Sequence, residues 1–136
     1  MPKKNPLGKE KRKHRRIKVN LSVIYRVARP TALRMSIGNH ETRATMLDLS
    51  IGGIAVLTNY DIPQGTQLLI KFTLFSVETE DVIFYGPMNI SGEVRYNMPL
   101  GANEYRLGIY FKHIDKEDQE QIAQFIKSQI AHFLPA

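Results

Sequence analysis

The sequence contains no cysteine, which excludes disulfides and thiolate metal centres and fits a reducing compartment. Its four histidines, His14, His40, His113 and His132, are scattered over a basic segment, a turn, a strand end and a helix end. No pair of them has a metal-ligating spacing, so a zinc site is not expected. No apolar run approaches the roughly 18 residues that span a bilayer, and no apolar stretch follows the charged N-terminal residues as a secretory signal would require. The expectation is a cytoplasmic protein without a membrane span. Nucleophile elbow, Walker loop and dinucleotide fingerprint are all missing. The carboxylates form no recognisable catalytic pair, so no enzymatic activity and no cofactor are expected.

Acidic residues are also missing from one region. Residues 1–18 hold nine Lys or Arg against Glu10 alone, whereas the remaining residues hold ten Lys or Arg against twelve Asp or Glu. The net charge of +6 is therefore a basic N-terminal arm on a mildly acidic body. Such an arm attracts phosphate groups. Its mutual repulsion, with Pro2, Pro6 and Gly8, predicts a flexible segment when nothing is bound. The chain divides into this arm, residues 1–16, and one folded domain, residues 17–136.

Beyond the arm, Ile17, Val19, Leu21, Val23 and Tyr25 alternate with more polar neighbours, the period of a half-buried strand. Leu33, Met35 and Ile37 extend the pattern to a turn at Gly38-Asn39. Further strands are expected at Arg43 to Leu49, Ile54 to Thr58, Thr66 to Leu74, Val82 to Tyr85, Asn89 to Tyr96 and Tyr105 to Phe111. Pro87, Pro99 and Gly101 mark breaks. Short, regularly spaced strands suggest a small barrel or sandwich. The period then changes. Asp115 can cap a helix with Glu117 and Asp118 in its first turn. Ile122, Phe125, Ile126, Ile130, Phe133 and Leu134 form its apolar stripe, and Pro135 ends it. The stripe reads as a lid packed on the β part.

Two short pieces carry chemistry. Arg12-Lys13-His14-Arg15-Arg16 is an Arg-x-x-x-Arg directly before a strand. Asp48-Leu49-Ser50-Ile51-Gly52-Gly53 is an Asp-x-Ser-x-x-Gly at a strand-to-strand turn. Taken alone, the second has a structural reading: Asp and Ser capping backbone N–H groups, and Gly53 in a left-handed conformation. Together and in this order they resemble the PilZ domain family, which binds the bacterial second messenger cyclic di-GMP. Ser91-Gly92-Glu93-Val94-Arg95 and Tyr105-Arg106-Leu107-Gly108-Ile109-Tyr110-Phe111 resemble that family's last core strands before its closing helix. The resemblance covers roughly residues 11–130. It implies a mainly β fold, a six-stranded antiparallel Greek-key split barrel with a C-terminal α-helix.

The ligand implied by the resemblance is a dianion with two guanines. Arginine suits it because the guanidinium fork pairs with phosphate oxygens, matches guanine O6 and N7 and stacks on a base. The resemblance assigns these roles to Arg12 and Arg16, with Lys11 and Arg15 adding phosphate contacts. Asp48 would accept from guanine N1–H and N2–H, Ser50 would add a hydrogen bond, and Gly52 and Gly53 would let the backbone approach closely. Arg95 is a further candidate contact, with a surface salt bridge to Glu93 or Glu104 as its other reading. Family members that bind an intercalated ligand pair often carry arginine where this chain has Lys11. Lysine keeps the charge but not the fork, which leans the stoichiometry to one tightly held ligand per chain. The sequence-level conclusion is a bacterial cyclic di-GMP receptor that signals to an effector protein it does not identify. The alternatives are a nucleic-acid-binding small barrel, which the acidic body disfavours, and a PilZ-like interaction module that no longer binds ligand.

Overall fold

The computed structural model describes residues 15–37 and 41–133. Lys11 and Arg12, the expected turn at Gly38-Asn39, and Leu134 and Pro135 lie outside the described residues.

Six strands close into a barrel in the order β1-β2-β3-β6-β5-β4, every neighbouring pair antiparallel. They are β1 (Ile17–Arg29), β2 (Thr42–Ser50), β3 (Gly53–Thr58), β4 (Gln67–Glu78), β5 (Asp81–Gly101) and β6 (Glu104–His113). The alternation in β1 gives it one face to turn to the core. Val23, Tyr25 and Val27 are buried among Met46, Leu49, Ile54, Val56, Ile70, Ile90, Leu107 and Ile109. The polar tip of Tyr25 is satisfied by Thr58, hydroxyl to hydroxyl at 2.7 Å, which lets a large ring sit in the interior.

One end of the barrel is covered by a helix, here α2 (Lys116–Phe133), which packs on β2, β4 and β5. Asp115 accepts the first-turn bond through its backbone carbonyl, from the Gln119 amide at 2.9 Å. Glu117 and Asp118 occupy the positive end of the helix dipole. Ile122, Phe125 and Ile126 are buried. Phe125 meets Tyr85 edge-on at 5.7 Å, and Gln121 accepts from the Gly86 amide at 2.7 Å. Burying each such side chain contributes about 1.5–3 kcal/mol.

Two sequence expectations are corrected. Residues 31–37 form not a strand but a short helix, α1 (Thr31–Ile37), whose first bond runs from the Arg34 amide to the Pro30 carbonyl at 3.1 Å. Pro30 cannot donate to a ladder, and Ala32, Leu33, Arg34 and Met35 all favour helix. A three-residue alternation could not outweigh that. The expected breaks at Pro87 and Pro99 are also absent: β5 runs through both for 21 residues and ends at Gly101, with Pro99 paired to Tyr105 of β6. Pro87 sits at the register shift between Phe72 and Leu74 of β4, before the pairing with β6 begins at Ser91. A bulge on an unpaired edge is where proline fits a strand.

Candidate functional site

The site begins with a phase change in β2. Ala44 and Met46 point into the core, and strict alternation would send Asp48 in after them. Instead β2 carries one extra residue between Met46 and Asp48, which pair with Val56 and Ala55 of β3. Such a bulge re-aims the side chains beyond it. Leu49 therefore takes the inward place at 0% exposure, and Asp48 is turned to the outer face beside Lys18 of β1.

A second bulge does the same on β5. Val94 pairs with Ile109 and Tyr96 with Gly108, leaving Arg95 as the extra residue. Val94 faces the core and Tyr96 the outer surface. The Tyr96 ring lies directly on the β6 backbone at Gly108, where a Cβ would overlap the ring atoms Cε2, Cδ2 and Cζ. The two bulges bring Asp48 and Tyr96 to either side of Arg106.

These groups form a chain of contacts. The Tyr96 hydroxyl accepts from Arg106 Nε at 3.2 Å, and Arg106 Nη2 donates to Asp48 Oδ2 at 2.8 Å. Arg16 Nη1 donates to the other oxygen, Asp48 Oδ1, at 2.7 Å. The Asp48 side chain is 13% exposed, against 30% for Arg16 and 33% for Arg106. The Arg106 guanidinium is pushed further above its ordinary range, first by its bond to Tyr96, with desolvation opposing and the Asp48 charge adding. It stays charged at any physiological pH.

The turn between β2 and β3 follows at once. Ser50 is 3% exposed. Its Oγ accepts from the Gly52 amide at 3.2 Å and donates to the Gly53 carbonyl at 3.4 Å. The structural reading of this motif thus holds for Ser50 but not for Asp48, whose oxygens go to arginines. Nor is Gly53 left-handed; positive φ occurs at Gly65 and Gly86 among the described glycines. Gly53 is required by close approach. A Cβ there would overlap the Ile109 carbonyl oxygen and lie 3.3 Å from Tyr110 Cα.

Arg95 stands on the flank of this turn. Its guanidinium lies 4.4 Å over the Tyr110 ring, and Tyr110 pairs with Gly53. Its Nε is 4.0 Å from Glu93, a loose pair of the kind expected of a surface salt bridge. Arg15 is exposed next to Arg16. Arg16 and Asp48 are thus brought to one outer face, with the turn of Gly52 and Gly53 beside them, the buried Ser50 hydroxyl bonded within that turn, and Arg95 at the margin. The residues that sequence reasoning missed are Arg106 and Tyr96. Alternation in β6, with Leu107, Ile109 and Phe111 buried, points Arg106 outward. Its partner Asp48 is 58 residues away, and no local pattern reports that.

This face offers guanidinium forks, a fixed carboxylate and small residues at a turn, donors and acceptors suited to a planar, anionic ligand. Among the described residues no group of three His, Asp or Glu side chains could hold a metal ion, and no helix is long and apolar enough to cross a membrane.

The fold has counterparts among solved structures. The inhibitor of motility MotI/DgrA from Bacillus subtilis is 20% identical with a TM-score of 0.64, covering 90% of this chain and 53% of that one. YcgR from Escherichia coli, solved in complex with c-di-GMP, is 15% identical with a TM-score of 0.58, covering 89% and 46%. The PilZ domain of CeSA from a cellulose-synthesizing bacterium is 14% identical with a TM-score of 0.51, covering 85% and 98%. The chain thus spans about half the length of MotI/DgrA and YcgR, and at these identities the likeness is one of fold. A search of curated proteins gave no match. The family model for the PilZ domain matches residues 10–128, all six strands of the barrel and most of α2, and the chain belongs to the PilZ domain family.

Proposed function

We propose that this chain is a receptor for cyclic di-GMP that binds the messenger on the outer face around Asp48 and reports it to a protein partner, in the cytoplasm. The observation that carries the reading is the meeting of Arg16 and Asp48 at 2.7 Å beside the glycine-tight turn, on a chain whose family model begins in the basic segment. Solved structures of similar fold, YcgR from Escherichia coli and MrkH from K. pneumonia, contain c-di-GMP. Arg12 and Arg16 hold the phosphates and stack on guanine, Lys11 and Arg15 add charge, and Asp48 accepts from the guanine N1–H and N2–H edge. Ser50 contributes a hydrogen bond, Gly52 and Gly53 allow close approach, and Arg95 borders the site from its seat on Tyr110. The basic segment that carries Lys11, Arg12, Arg15 and Arg16 supplies positive charge to the phosphates. No chemical step is needed; the output is a changed surface.

Calorimetric titration at two salt concentrations tests this. The expected result is saturable heat with cyclic di-GMP, weakened only modestly by salt, since a dinucleotide lacks the counterion atmosphere of a polymer. Heat with single-stranded RNA, falling along a steep log–log salt slope, and none with cyclic di-GMP would instead assign the basic segment to nucleic acid.

A further inference from the structure

We infer that Arg106, held by Tyr96, is the positioning residue that sets Asp48 for guanine, and that ligand binding exchanges only one of the two arginines on Asp48. The inference rests on the receptor reading and adds a role for residues outside its two motifs.

Asp48 has each carboxylate oxygen held by a different guanidinium, Arg16 on Oδ1 and Arg106 on Oδ2. The two arginines are anchored very differently. Arg16 precedes β1 and belongs to the basic segment that supplies phosphate contacts. Arg106 lies within β6, paired to Leu57 of β3 on one side and Met98 of β5 on the other. Its Nε is tied to the Tyr96 hydroxyl, and Tyr96 is itself seated on Gly108. When Arg16 turns to a phosphate, Oδ1 is released to the guanine edge. Oδ2 stays with Arg106, which keeps the carboxylate's charge compensated and its plane fixed. A carboxylate has about four acceptor positions, so Arg106 does not exclude guanine from Oδ2 either.

Lysine in place of Arg106 would keep a charge near Asp48 but could not bond Tyr96 and Asp48 along two directions of one rigid plane. The readout that separates positioning from bulk stability is base discrimination. Cyclic di-IMP lacks the guanine 2-amino group, so the ratio of its affinity to that of cyclic di-GMP reports how well Asp48 reads that group.

The test is calorimetry of both dinucleotides with the full chain, its Arg106→Gln, Arg106→Lys and Tyr96→Phe variants. The wild-type chain should prefer cyclic di-GMP by about tenfold or more, the scale of one hydrogen bond to a charged group. Arg106→Gln should lose most of that preference, Arg106→Lys should recover part of it, and Tyr96→Phe, which keeps the ring on Gly108, should reduce it a few-fold. Equal weakening of both dinucleotides, or an unchanged ratio in Arg106→Gln, would overturn the positioning role while leaving the receptor reading intact. If Arg106→Gln does not fold, the Tyr96→Phe ratio decides alone: a fall supports the role and a wild-type ratio overturns it. Absence of cyclic di-GMP binding to the wild-type chain would instead sink the receptor reading, and this inference with it.

Discussion

Replacing Gly53 by alanine should destabilise the barrel sharply, because the obstacle is backbone. The added Cβ would overlap the Ile109 carbonyl oxygen, lie 3.2 Å from its carbon and 3.3 Å from Tyr110 Cα. No rotamer can relieve a clash with main chain, so β3 and β6 must part locally. Overpacking of this kind costs about 1–3 kcal/mol. The strain also weakens the neighbouring bond from the Phe111 amide to the Gly52 carbonyl, 2.9 Å, for a further loss of about 1 kcal/mol. The expected total is about 2–4 kcal/mol out of the roughly 5–15 kcal/mol typical of a domain. Urea unfolding followed by circular dichroism reads it. Two glycines serve as internal controls. Gly101 has nothing within 4 Å of a Cβ and no left-handed φ, so its alanine variant should stay within about 0.5 kcal/mol of wild type. Gly65 is equally open but has φ of 93°, so backbone strain alone should cost it about 1 kcal/mol. A Gly53→Ala variant as stable as Gly101→Ala would refute the close-approach argument and leave only a ligand-related reason for that glycine.

Asp48→Ala should cost little stability, about 1 kcal/mol or less for partly exposed pairs, while reducing cyclic di-GMP affinity at least tenfold; parallel thermal melts and calorimetry compare the two. Burial raises the Tyr25 hydroxyl above its ordinary value, the Thr58 bond partly opposing. The unfolded chain therefore releases that proton first. The contribution is intact below about pH 10, falls as pH climbs toward the higher folded value, and should be absent in Tyr25→Phe when unfolding is measured across alkaline pH; equal slopes would count against it. Lys11→Arg should move the calorimetric ligand-to-chain ratio from one toward two, because arginine restores a flat, forked partner for a second nucleotide. A wild-type ratio already at two would show that charge alone suffices.

Much of the barrel was legible because its strands obey period two. Val23, Tyr25 and Val27, or Leu107, Ile109 and Phe111, announce their burial from spacing alone. The helix α2 was legible from Ile122, Phe125 and Ile126 for the same reason at a different period. Residues 31–37 misled because three alternating apolar positions carry a strand's period, whereas the run of helix formers from Ala32 to Met35 behind Pro30 decides for a helix. Pro87 misled because a bulge is a tertiary event, set by the pairing of β4 with β5. The bulges limited the reading of the site as well. Simple alternation buries Asp48 with Ala44 and Met46, and only the register against β3 shows that it faces outward. The Arg-x-x-x-Arg and Asp-x-Ser-x-x-Gly patterns identified Arg16 and Asp48 as candidates, but not that they touch. Arg106 carried no such mark, since what defines it is a contact across 58 residues and a hydroxyl on a neighbouring strand.

The most direct test of the account is a map of backbone amide and arginine Nε–H resonances of the uniformly labelled chain as cyclic di-GMP is added. The account predicts that the perturbations cluster at residues 48–55, at Tyr96 and at Arg106 to Tyr110, with the Arg16 Nε–H signal moving far more than that of Arg106. A spectrum unchanged by saturating ligand, or changes confined to the opposite wall formed by β4 and the first half of β5, would contradict it.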